Sequence, residues 1–223
     1  MKNFYDDLEI RSADERAHDL AQDLPRQIAN VQKNSVGFST LLAGVDASKI
    51  TQVSDLQSLP VLRKSDLHDA QYANPPLGGY AAIASKNIGH VFQSPGPIYE
   101  MGQKSHNWWR FGRFLHALGV GAGDVVQNTF SYHFTPAGMM FENAAEAVGA
   151  TVFPAGPGQT ELQARAAFDL GVTCYAGTPD YLNTILQKGD ALGLDLSKIR
   201  TAAVSGGPLF PKIREAYTDR GIA

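Results

Sequence analysis

The sequence predicts an α/β fold: a mostly parallel sheet flanked by helices, preceded by a helical lead segment. From residue 88 onward, short apolar runs alternate with helical stretches, the pattern of a parallel sheet covered on both faces. Gly119, Gly149 and Gly171 stand where those helices should end, and a helix C-terminus favours a residue free to take positive φ. Before residue 88 the alternation is missing. The chain is therefore read as a helical lead and lead-in segment, 1–87, and an α/β domain, 88–223, with no heptads, low-complexity segments or residue-level repeat.

Each element follows from local signals. Ser12 and Glu15 form a capping box, and Leu20, Leu24, Ile28 and Val31 recur at helical spacing, which predicts a lead helix. Pro25 removes one backbone donor and should kink or split it. Ser54-Asp55-Leu56, Leu59-Pro60-Val61 and Lys64-Ser65-Asp66-Leu67 suggest small helices, and Asn74-Pro75-Pro76 with Gly78-Gly79 marks a loop. Strands are expected at 90–92, 124–127, 150–153, 172–175 and 201–204. Helices are expected at 103–118, 136–148, 160–170, 179–191 and 211–220. In the first of these helices Trp108, Trp109, Phe111, Phe114, Leu115 and Leu118 share a face and read as core.

Composition narrows the class. Of the 223 residues 43% are hydrophobic and 18% charged, as in globular proteins. The acidic start, Met1 to Arg16, lacks the basic-then-apolar form of a targeting peptide, and no apolar run is long enough for a membrane helix, so a soluble cytoplasmic protein is expected. A formal charge of -3 and the lack of a basic tract with interleaved aromatics argue against nucleic acid. The single cysteine, Cys174, sits in an apolar run with no ligand partner nearby, which reads as an inert buried thiol in a reducing compartment, with no metal site.

In parallel sheets ligands gather outside the carboxyl ends of the strands. Three post-strand loops carry suitable residues: 93–99 with Ser94 and Gly96, 130–136 with Tyr132, His133, Phe134 and Thr135, and Ser205-Gly206-Gly207-Pro208. Glycine lets backbone approach a ligand, hydroxyls donate to anions and aromatics make an apolar wall. The same residues also make ordinary turns. His133 reads either as a loop histidine bonded to a neighbour or as a group that pairs with a carboxylate or moves a proton.

The run 119–132 (Gly119-Val120-Gly121-Ala122-Gly123-Asp124 through Phe130-Ser131-Tyr132), then Ala147 to Pro154, then Gly171-Val172-Thr173 followed by Gly177-Thr178-Pro179, resembles phenylacetate-coenzyme A ligases. The earlier Leu59-Pro60-Val61-Leu62-Arg63-Lys64-Ser65-Asp66-Leu67 is similar to a further motif of that family. The resemblance implies an adenylate-forming enzyme that converts a carboxylic acid, ATP and coenzyme A into acyl-coenzyme A, AMP and diphosphate through an acyl-adenylate, with Mg2+ accompanying ATP. It implies a nucleotide site at Ser94, Gly96, Ser205, Gly206, Gly207 and Pro208. Tyr132, His133, Phe134 and Thr135 would line the pocket of an aromatic or apolar acid.

Two departures stand out. The family's S-S-G-T-T-G-K-P phosphate grip is replaced by Ser94-Pro95-Gly96-Pro97-Ile98-Tyr99-Glu100, which loses the threonine hydroxyls and the lysine, puts two prolines without N–H groups in the loop and adds an acid. The family's Gly-Ala-Glu-Pro loop is here Ser205-Gly206-Gly207-Pro208. The family's Tyr-Gly-x-Thr-Glu motif, ribose-binding aspartate and catalytic lysine match no residue, so the chain alone is expected to be inactive and its catalytic residues are unknown. The other reading is a non-catalytic relative that binds an acyl or adenylate ligand. A dinucleotide enzyme lacks support, because no strand leads into a Gly-x-Gly-x-x-Gly helix start.

Overall fold

The computed structural model describes residues 4–223 and divides into two compact units, Asp6–Lys104 and Ser105–Ala223 with Phe4 and Tyr5. In the first unit α1 (Ala13–Asn34) opens on the expected box: the Ser12 hydroxyl accepts from the Glu15 N–H, and the Glu15 carboxylate accepts from the Ser12 N–H. Leu20, Leu24, Ile28 and Val31 form a half-buried stripe. The helix runs unbroken through Pro25, because a stripe extending on both sides of the proline offsets the one hydrogen bond lost there. It is followed by α2 (Val36–Leu41), 3-10 turns at Ala47–Lys49 and Val53–Ser58, and α3 (Lys64–Ala73). Leu59-Pro60-Val61 is a connection, not a helix.

The unit closes with an antiparallel hairpin of β1 (Ile88–Ser94) and β2 (Ile98–Gln103), with Ser94 opposite Ile98. Two sequence expectations change here: the loop after β1 leads to a strand, not a helix, and the 90–92 strand is not part of the parallel sheet. The compact units part after Lys104. Residues 98–103 carry no clear alternation, since buried Ile98 and Gly102 share a strand face with exposed Glu100. Buried Gln71 fastens β2 to α3, donating to the Tyr99 carbonyl (2.8 Å) and accepting from the Tyr99 N–H (2.7 Å).

In the second unit the helix expected at 103–118 shrinks to α4 (Gly112–Ala117). Asn107 and Arg110 have φ of 50° and 59°, left-handed values that no helix interior accommodates. Leu115 is buried as expected, but Trp108, Trp109, Phe111 and Leu118 are only half-buried and Phe114 is exposed. The rest of the unit alternates β3 (Val125–Asn128), α5 (Ala137–Ala147), β4 (Thr151–Phe153), α6 (Thr160–Leu170), β5 (Cys174–Gly177), α7 (Pro179–Ala191), β6 (Thr201–Val204) and α8 (Pro211–Asp219). The strands are parallel in the order β4-β3-β5-β6.

That order reverses direction after β4, and right-handed crossovers then require the covering helices to change face. They do. Leu115 of α4 with Phe141 and Ala144 of α5 covers Val126, Cys174 and Ala176 on one face. Ala164 of α6, Leu182 and Ile185 of α7 and Tyr217 of α8 cover Tyr175 on the other. Cys174 is 1% exposed, and burial pushes its thiol up to about 12, as expected of an inert residue.

Asp124 binds the amino-terminal edge of the sheet together. Its carboxylate accepts from the Gly121 N–H (2.9 Å), the Thr173 hydroxyl (2.8 Å) and the Arg200 guanidinium, linking the starts of β3, β5 and β6. Burial alone would raise its pKa, but the Gly121 N–H, the Thr173 hydroxyl and Arg200 outweigh that and hold it below the usual carboxylate value. A depressed folded pKa gives stability that is complete above the unfolded value of about 3.9 and is lost as pH falls through the folded one. Asp124→Asn should therefore cost about 1–3 kcal/mol at pH 7, and the gap to the parent chain should narrow below about pH 4. Urea unfolding at pH 7 and pH 3 reads both, and an equal gap at the two pH values would refute the charge-based account. Native Cys174 should resist a thiol reagent that labels it fully in denaturant.

Candidate functional site

At the carboxyl end of β3 the sequence places three consecutive polar residues, Gln127, Asn128 and Thr129, each buried (0%, 0% and 5% exposed). Buried polar groups persist where they are hydrogen-bonded, and each of these three organises a different loop. Successive strand residues point to opposite faces, so the three side chains fan out around one strand end.

Gln127 turns toward α6. Its amide donates to the side-chain oxygen of Gln163 (2.6 Å), and Gln163 in turn donates to the carbonyls of Gly156 (2.6 Å) and Gly158 (3.1 Å). The Tyr181 hydroxyl also donates to Gly158. This pins the loop between β4 and α6.

Asn128 shapes the loop between β3 and α5. Its amide donates to the Tyr132 hydroxyl (2.8 Å) and the Gly138 carbonyl (2.7 Å), while its oxygen accepts from the Phe130 N–H (3.2 Å). A Cβ on Gly138 would sit 2.5 Å from the Ser131 carbonyl and 3.0 Å from the Tyr132 ring, so only glycine lets α5 come this close. Tyr132 is half-buried, and burial, then the adjacent Glu142 carboxylate, raises its pKa. The phenol stays protonated.

The remaining residues of that loop are open to solvent in varying degree. The Ser131 hydroxyl contacts the His133 ring, donates to the His133 carbonyl (2.9 Å) and accepts from the His133 N–H (3.3 Å). His133 bonds its neighbour Ser131 and is exposed at the turn. Phe134 is 72% exposed with φ 62°, and Thr135 is half-buried, its N–H on the His133 carbonyl (2.9 Å). Phe130 stacks on Phe141 with ring centroids 4.7 Å apart.

Thr129 faces β5. Its N–H donates to the Ala176 carbonyl (2.8 Å), and its hydroxyl donates to the Tyr175 phenol (2.9 Å), which donates on to the Thr178 carbonyl (3.0 Å). A Cβ on Gly177 would lie 2.0 Å from the Thr129 hydroxyl and 2.2 Å from that of Tyr175. Glycine is obligatory there. This is also the switch point of the sheet, since the connection after β3 runs toward β4 and that after β5 toward β6, and open α/β sheets bind ligands at such a crevice.

The loop after β6 closes on the same crevice. The Ser205 N–H donates to the Gly177 carbonyl (3.1 Å), and Gly206, at φ 74°, has the Phe130 ring and the Thr178 methyl each 3.7 Å from the position of a Cβ. Ser205, Gly206, Gly207 and Pro208 are all exposed. The two loops do meet, but through Phe130: Tyr132, held back against Gly138, and Phe134 are not among the atoms within 4 Å of that position. Ser94 and Gly96 lie in the hairpin turn of the first unit. There the Ser94 hydroxyl faces the Ile98 carbonyl (3.4 Å) and the Glu100 carboxylate (3.5 Å).

Sequence reasoning missed Asn128, Thr129, Gly138 and Gly177 as site-shaping residues. The available signal was a run of three polar residues ending an otherwise apolar strand. Among the described residues no group of three or more His, Cys, Asp or Glu is placed to hold a metal ion, and no described helix is long and apolar enough to cross a membrane.

No protein-family model matches the chain. Among curated proteins it is similar to the phenylacetate-coenzyme A ligases of Aromatoleum evansii (29% identity over 159 residues, covering 68% of this chain and 35% of the relative) and Thermus thermophilus (26% over 209 residues, 89% and 46%). That of Escherichia coli gives 29% over 167 residues, 69% and 37%. Among solved structures, 2-hydroxyisobutyryl-CoA ligase in its postadenylation state with 2-HIB-AMP superposes with a TM-score of 0.84 at 20% identity, covering 94% of this chain and 47% of that one. Its open conformation with 2-HIB-AMP and CoA gives the same score. The chain spans less than half the length of these relatives. By sequence it is similar to phenylacetate-coenzyme A ligases over most of its length, and by structure it has the fold of the adenylate-forming coenzyme A ligases across the portion of them that it spans.

Proposed function

We propose that this chain is the nucleotide- and acyl-binding part of an AMP-forming carboxylate–coenzyme A ligase. The observation that carries the reading is the convergence of Phe130 and Gly206 at the switch point, in a chain similar in sequence to phenylacetate-coenzyme A ligases. In the reaction the carboxylate attacks the α-phosphate of ATP, giving acyl-AMP and diphosphate; the thiol of coenzyme A then takes the acyl group and releases AMP. Ser205, Gly206, Gly207 and Pro208 present bare backbone to the adenylate. The 130–135 loop, braced by Asn128, faces an aromatic or apolar acyl group with Tyr132, His133, Phe134 and Thr135. Mg2+ would accompany the triphosphate, as the resemblance to these ligases implies. The whole cycle, its location in the cytoplasm and the identity of the acid belong to this proposal.

The hairpin turn favours a second reading, binding of an acyl-adenylate without ATP activation. Pro95 and Pro97 offer no N–H, and the Ser94 hydroxyl is engaged within its own turn, beside the negative charge of Glu100. A triphosphate finds few donors and an adverse charge there. An adenylate lacking the β- and γ-phosphates avoids that cost.

Titration calorimetry with a phenylacetyl-sulfamoyl-adenosine probe tests the site. Phe134→Ala should leave stability within about 0.5 kcal/mol, as for an exposed side chain, and weaken the probe by roughly 1–2 kcal/mol while leaving AMP affinity alone. Unchanged probe affinity would remove the acyl assignment. Acid-dependent exchange of labelled diphosphate into ATP by the protein containing this chain distinguishes the two readings: exchange supports the ligase, and probe binding without exchange supports the second.

A further inference from the structure

The end of the hairpin opposite its turn gathers two lysines and no carboxylate. Lys86, on the 3-10 turn Ser85–Asn87 that leads into β1, and Lys104, the residue after β2, line one polar cleft of about 350 Å³ together with Asn87, Ile88, Gly89 and Gln103. Both lysines are exposed, and among the described residues neither pairs with an acid. The strand pairing itself shapes this cleft. The register slips between Ile88 and His90, which leaves Gly89 as the extra residue of a β-bulge. A Cβ at Gly89 would lie 2.6 Å from the Lys104 Cγ and 2.9 Å from the Lys104 main-chain nitrogen, so only glycine lets the Lys104 stem lie against β1 here.

We propose that this cleft binds a phosphoryl anion, as free phosphate or as the phosphate of a phosphomonoester. Two ammonium groups sharing one small polar space repel each other until an anion lies between them, and lysine serves phosphate as a point charge with three donors. The amides of Asn87 and Gln103 add neutral donors suited to phosphate oxygens, and no carboxylate in the lining competes for the ammonium groups. The cleft is separate from the turn at Ser94, which lies roughly 15–20 Å away along β1 at the rise of an extended strand and has the Glu100 carboxylate beside it. The site stands whether or not the chain serves a ligase.

Amide NMR shifts of the full chain, titrated with sodium phosphate and with glycerol 3-phosphate at fixed ionic strength so that screening stays constant, test this. The Gly89 and Lys104 amides should move along saturating curves, and the tighter ligand identifies the source as the free anion or the ester. Lys86→Gln combined with Lys104→Gln should weaken binding at least about tenfold, the scale of losing charge-assisted bonds, and keep the parent thermal midpoint because both side chains are exposed. Gly89→Ala, which keeps both charges and displaces the Lys104 stem, should weaken it at least about threefold. No saturation by about 20 mM, where a Kd of about 1 mM gives near-full occupancy, overturns the proposal, as do saturating shifts confined to the 94–98 turn or unchanged affinity in the double lysine variant. Unchanged affinity in a folded Gly89→Ala chain also overturns it, since two surface charges would then suffice without the cleft. Where Gly89→Ala fails to fold, the lysine variant decides.

Discussion

The second unit depends on the close pairing of β3 with β5, and that pairing is limited by one glycine. Thr129 and Tyr175 bond across the top of the pair through the space where a Gly177 side chain would be. Any Cβ there would part the strands or break the hydroxyl chain that runs on to Thr178. Everything at the carboxyl edge is positioned from this contact. It sets the spacing of the central strands, the start of α7 and, through Ser205 on the Gly177 carbonyl, the glycine loop after β6.

The two edges of the sheet are built differently. At the amino edge a charged residue, Asp124, joins three strand starts and supplies stability. At the carboxyl edge the work is done by neutral groups, Gln127, Asn128 and Thr129, each fixing one loop. Neutral amides and hydroxyls hold a loop in place without a fixed net charge that would compete for an anionic ligand. Both edges place buried polar side chains in an apolar sheet, and each of these side chains forms at least one hydrogen bond, while the Gln127 side-chain oxygen has no partner among the described residues.

The sequence made much of the second unit legible. The residues 160–170, 179–191 and 201–204 are helix, helix and strand as read, since prolines, glycines and apolar period act over a few neighbours. The expected glycines at 119, 149 and 171 do have positive φ. Where the reading failed, a local signal competed with another: the apolar residues from Trp108 to Leu118 have helical spacing, but left-handed backbone at Asn107 and Arg110 confines the helix to six residues. The candidate site was legible as loops and not as contacts. Gly206 was named, and the aromatic ring beside it is that of Phe130, which the sequence reading did not single out.

What the sequence alone determined is the class of the fold, its strand–helix rhythm, the caps, and the order of motifs that resembles a ligase family, because these are written in residues close together along the chain. Tertiary structure alone decided that 88–103 is a separate hairpin, that Asn128 orders the 130–138 loop, and that Thr129, Tyr175 and Gly177 share one space. Those outcomes rest on partners up to 47 positions apart, as in the bond from Thr129 to Ala176, and on which face a strand residue takes once its neighbours are paired. Neither quantity has a local signature, so only the folded chain, with its buried polar atoms forced to find partners, could settle them.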